Sequence, residues 1–299
     1  VVEPTMKFMD PKCDIAFKKL FGDKRYTEIT ISFLNAVLER TGDDEISSVT
    51  IMDPFNHPNA DGMKTSAVDV RCVDRNGNQY IVEMQVVDKD NFIERSQYYT
   101  SVAIANQLSP GDDYKNVKPV IFVGVVSFDI DTNPHYLNHH RILNVTTKQC
   151  ILRHMEFHYL ELSKFLKTEA ELVTIIDKWA YVFKQAESFN KIPEHFGNQP
   201  TIVHALELLD QHSWSTQEWE AYRKYKDAVN TERNLLNAGT RKGFVAGLAA
   251  GEHKKAQEIA RGLLDVLDVA TIARKTGLSE SEVRALKREV QGATKTQEL

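Results

Sequence analysis

The stretch VDVRCVDRNGNQYIVEMQVV, residues 68–87, decides the fold. Two runs rich in β-branched residues flank Asn76-Gly77, the pattern of two antiparallel strands joined by a tight turn. Asp69 interrupts the first run and Glu83 the second. A carboxylate among strand valines costs free energy unless it is paired, hydrogen-bonded or bound to a cation. Side chains alternate along a strand, so the register decides whether the two acids share a face. A three-residue loop over 75–77, with Gly77 in the left-handed region, pairs Asp74 with Asn78 and sets Asp69 opposite Glu83. A two-residue loop slips the register by one and sends the acids to opposite faces. The three-residue loop is the expectation, because it also gathers Val68, Val70, Cys72, Tyr80, Val82 and Met84 on one apolar face.

Opposed carboxylates on neighbouring strands repel, and a hard divalent cation removes the conflict. Mg²⁺ takes one or two carboxylates together with waters and phosphate oxygens. Such an ion polarises a phosphoryl group and lowers the pKa of water, the parts needed to hydrolyse a nucleic-acid backbone. The alternative is a surface hairpin whose two acids simply face water.

Asp69, then Glu83-Met84-Gln85, resembles the Asp…Glu-x-Lys motif of the PD-(D/E)XK nuclease superfamily, in the Glu-x-Gln form of the recombination-promoting nuclease (transposase) family. The resemblance extends to DPKCDIAFKKLFG over 10–22, similar to that family's opening helix. It continues through Arg95, Tyr98, Tyr99, Gln107, Leu108, Gly111, Asp112 and Tyr114, and through KPVI at 118–121. The glycine-spaced tail is also family-like, so the similarity covers most of the chain.

The resemblance implies an α/β fold, a restriction-endonuclease-like core with a mixed central sheet flanked by helices, and a helical C-terminal extension. It implies Asp69 and Glu83 as ligands of Mg²⁺ or Mn²⁺, with the Met84 carbonyl as a third oxygen. It implies DNA as substrate, in recombination or mobile-element biology. Gln85 departs from the superfamily lysine: it can orient a water or a phosphate oxygen, but the charge must come from elsewhere. Lys18, Lys19 and Lys118 are sequence candidates for that charge. Asp14 stands where the superfamily often carries a further acid, although an acid early in a helix is also favoured by the helix dipole. Arg95 can clamp a phosphate, and Tyr98 and Tyr99 can position nucleic acid or simply pack. The alternative function is a catalytically inactive, nuclease-fold protein that binds DNA or assembles.

The 299 residues divide on this reading into a nuclease-like core at 6–165, a helical extension at 166–238 and a tail at 239–299. With 42% hydrophobic residues the chain can build a substantial core. Three scattered cysteines, Cys13, Cys72 and Cys150, read as free thiols. No secretory leader is legible, and the longest apolar run, 119–128, is too short to span a bilayer. The expectation is a soluble, cytoplasmic protein without a membrane partner. The net charge of −5 argues against tight storage on DNA, since backbone binding rests on Lys and Arg. From residue 240 onward, however, 11 Lys and Arg face 8 Asp and Glu, while the rest carries 26 against 34.

Apolar spacing predicts helices over 14–21, 27–40 and 92–107, and through much of 168–232. Strands are expected at 46–52, 118–128, 140–146 and 156–162, with a loop at 53–64. Gly239, Gly243, Gly247 and Gly251 recur every fourth residue, and small-xxx-small spacing permits close helix contact. A homodimer through this segment is the expectation, with a flexible linker as the alternative. Beyond it, 268–286 reads as two short helices about a Thr-Gly-Leu-Ser turn, whose Arg284, Lys287 and Arg288 can contact DNA phosphates. His135, His139 and His140 are expected in a loop. His154 and His158 fall on an expected strand, which denies them the one-face spacing of a helical zinc pair, so no zinc site is read.

Overall fold

The computed structural model describes residues 7–56, 66–88 and 91–296. The polypeptide folds into two compact units, divided between Asn230 and Thr231.

The first unit is built on a six-stranded mixed sheet. Its strands are β1 (Val49–Ile51), β4 (Val70–Asp74), β5 (Gln79–Gln85), β6 (Val120–Val126), β7 (Leu137–Ile142) and β8 (Leu152–Glu161). They lie in the order β1-β4-β5-β6-β8-β7. A separate two-stranded ribbon pairs β2 (Phe55–Asn56) with β3 (Ser66–Ala67), so the expected loop over 53–64 opens into a strand. Residues 57–65 of that region lie outside the described residues. β5, β6 and β8 run parallel, whereas β1, β4 and β7 pair antiparallel with their neighbours. β6 is buried at every position, as a central parallel strand must be.

One face of the sheet is covered by helices from both ends of the unit. α1 (Asp14–Phe21) buries Ala16, Phe17, Leu20 and Phe21 at three- and four-residue spacing, and the Gly22 N–H closes it on the Lys18 carbonyl. α2 (Thr27–Val37) buries Ile29, Phe33, Leu34 and Val37. Past α3 (Phe92–Ala105), which lies on the other face, come α4 (Ile175–Gln185) and α5 (Pro200–Leu209). Trp179 and Phe183 of α4 meet Phe21 and Phe33 with ring centroids 5.6–6.0 Å apart. One apolar cluster thus joins α1, α2, α4 and α5 to Val70, Cys72, Tyr80, Val82, Ile121 and Val123 of the sheet. Residues 166–230 therefore belong to the same packed unit as the sheet, through a core that local patterning does not reveal.

The opposite face carries α3, whose Phe92 packs with Ile81, Phe122 and Tyr159. Val68 joins this second cluster, not the face of Val70 and Cys72. The expected alternation breaks because the chain bends at Asp69, before β4 begins.

α6 (Thr216–Leu263) runs through all four regularly spaced glycines. In the second unit, Ala260 and Leu264 pack with Ile272 of α7 (Val269–Thr276) and with Val283 and Leu286 of α8 (Glu280–Thr296). Gly277, at φ +75°, makes the turn between α7 and α8. Among the described residues no helix is long and apolar enough to cross a membrane.

Candidate active site

The hairpin loop spans 75–77. Gly77 sits at φ +84°, its N–H bonds the Asp74 carbonyl at 3.0 Å, and the Asp74 N–H bonds the Asn78 carbonyl at 3.0 Å. The ladder then pairs Val70 with Val82 and Cys72 with Tyr80, which carries Asp69 to a position opposite Glu83. At this end side chains replace ladder bonds. The Asp69 N–H donates to Glu83 Oε1 at 3.1 Å, and the Met84 N–H donates to Asp69 Oδ2 at 2.8 Å. Each carboxylate thus holds a backbone N–H on the other's segment, and the two acids are clamped side by side.

Their environment disfavours charge. Glu83 is 7% exposed, and burial together with the facing Asp69 pushes its carboxyl well above the usual range. Burial also raises Asp69; the Met84 N–H opposes that rise and Asp14 adds to it. Asp14 and Lys18, both on α1, are about half exposed and open the site to solvent. Lys18 Nζ stands 2.8 Å from Asp14 Oδ1 and 3.9 Å from Asp69 Oδ1. One lysine therefore bridges two of the acids.

Gln85 is occupied on both ends of its amide. Its Oε1 accepts from Arg95 Nη2 at 2.8 Å, and its Nε2 donates to the Val87 carbonyl at 2.7 Å. The glutamine thereby positions a guanidinium whose charge acts on Glu83. Tyr99 borders the same acids: burial and then the Glu83 charge push its hydroxyl up. Tyr98 meets the Tyr99 ring edge-on at 6.3 Å.

The structure separates the other lysines from this group. Lys19 bonds Glu218 at 2.9 Å and lies over the Trp214 ring. Lys118 packs its stem on Gly77, at the far tip of the hairpin. The positive charge beside the acids comes from Lys18 and Arg95. Of the tail residues, Arg284 pairs with Glu280 at 2.7 Å, whereas Lys287 and Arg288 are exposed on α8.

One positioning residue escaped the sequence reading. Gly124 of β6 lies directly opposite Glu83. A Cβ there would sit 2.9 Å from Tyr159 and 3.0 Å from Phe92, so the glycine admits the Phe92 ring and lets α3 approach the sheet. The signal was present: a glycine inside the apolar run VIFVGVV marks a close approach. The histidines differ too, since His139 and His140 belong to β7 and not to a loop.

The family model for PD-(D/E)XK nuclease family transposase matches residues 11–239. The chain belongs to this family. Neither a curated protein nor a solved structure matches it. Membership brings a nuclease-like, mobile-element-linked role, and PD-(D/E)XK nucleases typically use divalent metals. The donor set here is compatible: its side-chain donors are carboxylate oxygens, which suit a hard ion, and they are buried with mutual repulsion that a cation relieves. Among the described residues no group of three or more His, Cys, Asp or Glu side chains is placed to hold a metal. Two carboxylates therefore leave most of an ion's shell to other oxygens.

Proposed function

We propose that this family member is a Mg²⁺-dependent DNA endonuclease that hydrolyses phosphodiester bonds in the recombination of mobile DNA. The observation that carries the reading is the reciprocal clamp, in which Asp69 and Glu83 each accept the other segment's backbone N–H. Asp69 and Glu83 would hold Mg²⁺, or Mn²⁺ in its place. The Met84 carbonyl, which leaves β5 on the same side as its Asp69-bound N–H, would add an oxygen. When bound, the ion supplies the charge that polarises a phosphoryl oxygen and acidifies water.

The chain's own residues do the rest. Lys18 neutralises Asp14 and Asp69 and attracts the phosphate backbone. Arg95, held by Gln85, presents the forked donor that matches a phosphate, and so replaces the lysine of the superfamily motif. Tyr98 and Tyr99 border the path of the strand. Plasmid cleavage with Mg²⁺ tests the reading: wild type should cut, and Asp69→Ala and Glu83→Ala should not. Equal cutting by all three would assign the activity elsewhere.

A second reading is a nuclease-fold protein that binds DNA without cutting. It is favoured by the α7–α8 hairpin, which has its own core and exposes Lys287 and Arg288. The two readings divide on whether DNA is bound but left uncut. Under either, the glycine row of α6 is proposed to seat a second copy: beyond the helix's own adjacent turns, no described atom lies within 4 Å of a Cβ placed at Gly239, Gly243, Gly247 or Gly251.

A further inference from the structure

β5 turns Gln79, Ile81, Glu83 and Gln85 to one face, the face on which α3 lies. Its two glutamines do the same work at opposite ends of the strand. Gln85 Oε1 holds Arg95, and Gln79 Oε1 accepts from Arg71 Nη2 at 2.8 Å. Arg71 stands opposite Ile81 on β4, two residues beyond Asp69, and so shares the face of Glu83. In both arginines Nε is buried without a hydrogen-bond partner.

The charge of Arg71 is poorly compensated. Burial pushes its guanidinium below the ordinary arginine range, only the charge of Asp53 opposes that fall, and among the described residues no carboxylate forms an ion pair with it. Its Nη1 is neither bonded nor among the buried atoms without a partner, so that tip of the fork reaches solvent. Gln79 has spent its oxygen on Arg71, and its Nε2 is left as a donor that no described atom engages. The corner around them is open: α3 packs on β6, Thr50 is exposed, and Arg71, Val73 and Gln79 are half-buried. What this corner offers outward is hydrogen-bond donors beside an uncompensated cation, which is the chemistry that takes an anion.

We propose that Arg71, steadied by Gln79, binds a backbone phosphate of the DNA several nucleotides from the phosphate that is cleaved. The inference rests on the endonuclease reading above. The two glutamines are six residues apart, about 20 Å along an extended strand. One strand of a duplex carries roughly six phosphates over that length. The acid pair lies between the glutamines and nearer Gln85, so Arg95 meets the reacting phosphate and Arg71 meets one farther along the same backbone. Two separated clamps fix the direction in which the strand crosses β5. The planar fork of arginine suits each of them.

The test titrates the full chain carrying Glu83→Gln, which should bind without cutting, with a labelled duplex of about 30 base pairs over a salt series. Arg71→Ala in that background should weaken binding by about tenfold and lower the slope of log affinity against log salt by about one. Arg71→Gln, which removes the charge and keeps a long polar side chain, should lose the same slope and serves where alanine disturbs the fold. With Glu83 intact, either substitution should raise KM for cleavage about tenfold. Duplexes trimmed from one end or the other give the sharper readout. On one of the two the difference between wild type and Arg71→Ala should vanish, because the contacted phosphate is gone. Unchanged affinity and slope in both variants, or a difference that persists on both trimmed duplexes, would overturn the contact. If the wild type cuts DNA while the variants bind it normally, this inference alone fails; if the wild type neither binds nor cuts, the endonuclease reading fails with it.

Discussion

Replacing Glu83 by glutamine should stabilise the ion-free protein while abolishing cleavage. The carboxylate is buried against Asp69 and its pKa is raised, so its charged form costs stability at neutral pH. Glutamine still accepts the Asp69 N–H but carries no charge, and the expected gain is about 1 kcal/mol or more. Calorimetry without divalent ions should show a higher midpoint for Glu83→Gln; a lower one would mean that the acid is not under repulsion. Arg95 makes the complementary case. Arg95→Ala should cut turnover by about 10–100-fold, and Gln85→Lys in that background should restore part of the loss, because lysine returns the missing charge from the neighbouring strand. Steady-state cleavage rates decide this, and an Arg95→Ala enzyme at full rate would remove the guanidinium from the site.

At the scale of elements, the approach of α3 to the sheet depends on Gly124. Gly124→Ala places a methyl within 2.9–3.1 Å of Tyr159 and Phe92 and should cost about 1–3 kcal/mol in chemical unfolding. Activity should fall as well, since α3 carries Arg95. A variant of wild-type stability would show that the contact relaxes freely. The start of α4 has its own pH signature. Asp177 is fully buried and accepts from Lys167 and the Tyr136 hydroxyl at 2.6 Å and from the Thr174 N–H at 2.9 Å. Against the cost of burial, these partners depress its pKa from 3.8 to about 2. A depressed carboxylate contributes stability that is present above its unfolded pKa and lost as pH falls through the folded one. Stability should therefore drop by roughly 2 kcal/mol between about pH 4 and pH 2, and Asp177→Asn should flatten that part of the profile.

The hairpin register, α1 and the α7–α8 turn were legible in the sequence because each rests on local rules: a left-handed glycine, three- and four-residue apolar spacing, and a glycine after a helix. What was not legible depended on distant packing. Val68 changes faces because of a bend at the acid itself. Lys118, distant in sequence, does reach the hairpin, but at its tip and not beside the acids, and Arg95 reaches Gln85 only because α3 packs on β6, the neighbour of β5. The coverage of the sheet by α4 and α5 is a long-range hydrophobic choice that helical spacing alone does not encode.

Across the whole chain the charge balance bears on how the proposed nuclease would meet DNA. A net −5 with basic residues concentrated after residue 240 predicts weak, salt-sensitive binding to which the tail should contribute. Lys287→Ala with Arg288→Ala should weaken DNA binding and lower the slope of log affinity against log salt by roughly one to two. Cleavage at saturating DNA should be unchanged. An unaltered slope would exclude the tail from the DNA contact.

The central claim is that one hard ion joins Asp69 to Glu83. Titration of Mn²⁺ followed by its electron paramagnetic resonance signal tests it directly. The wild type should hold one ion tightly, lost on substitution of either acid and displaced by excess Mg²⁺, with cleavage tracking occupancy. Undiminished Mn²⁺ binding in both Asp69→Ala and Glu83→Ala would contradict it.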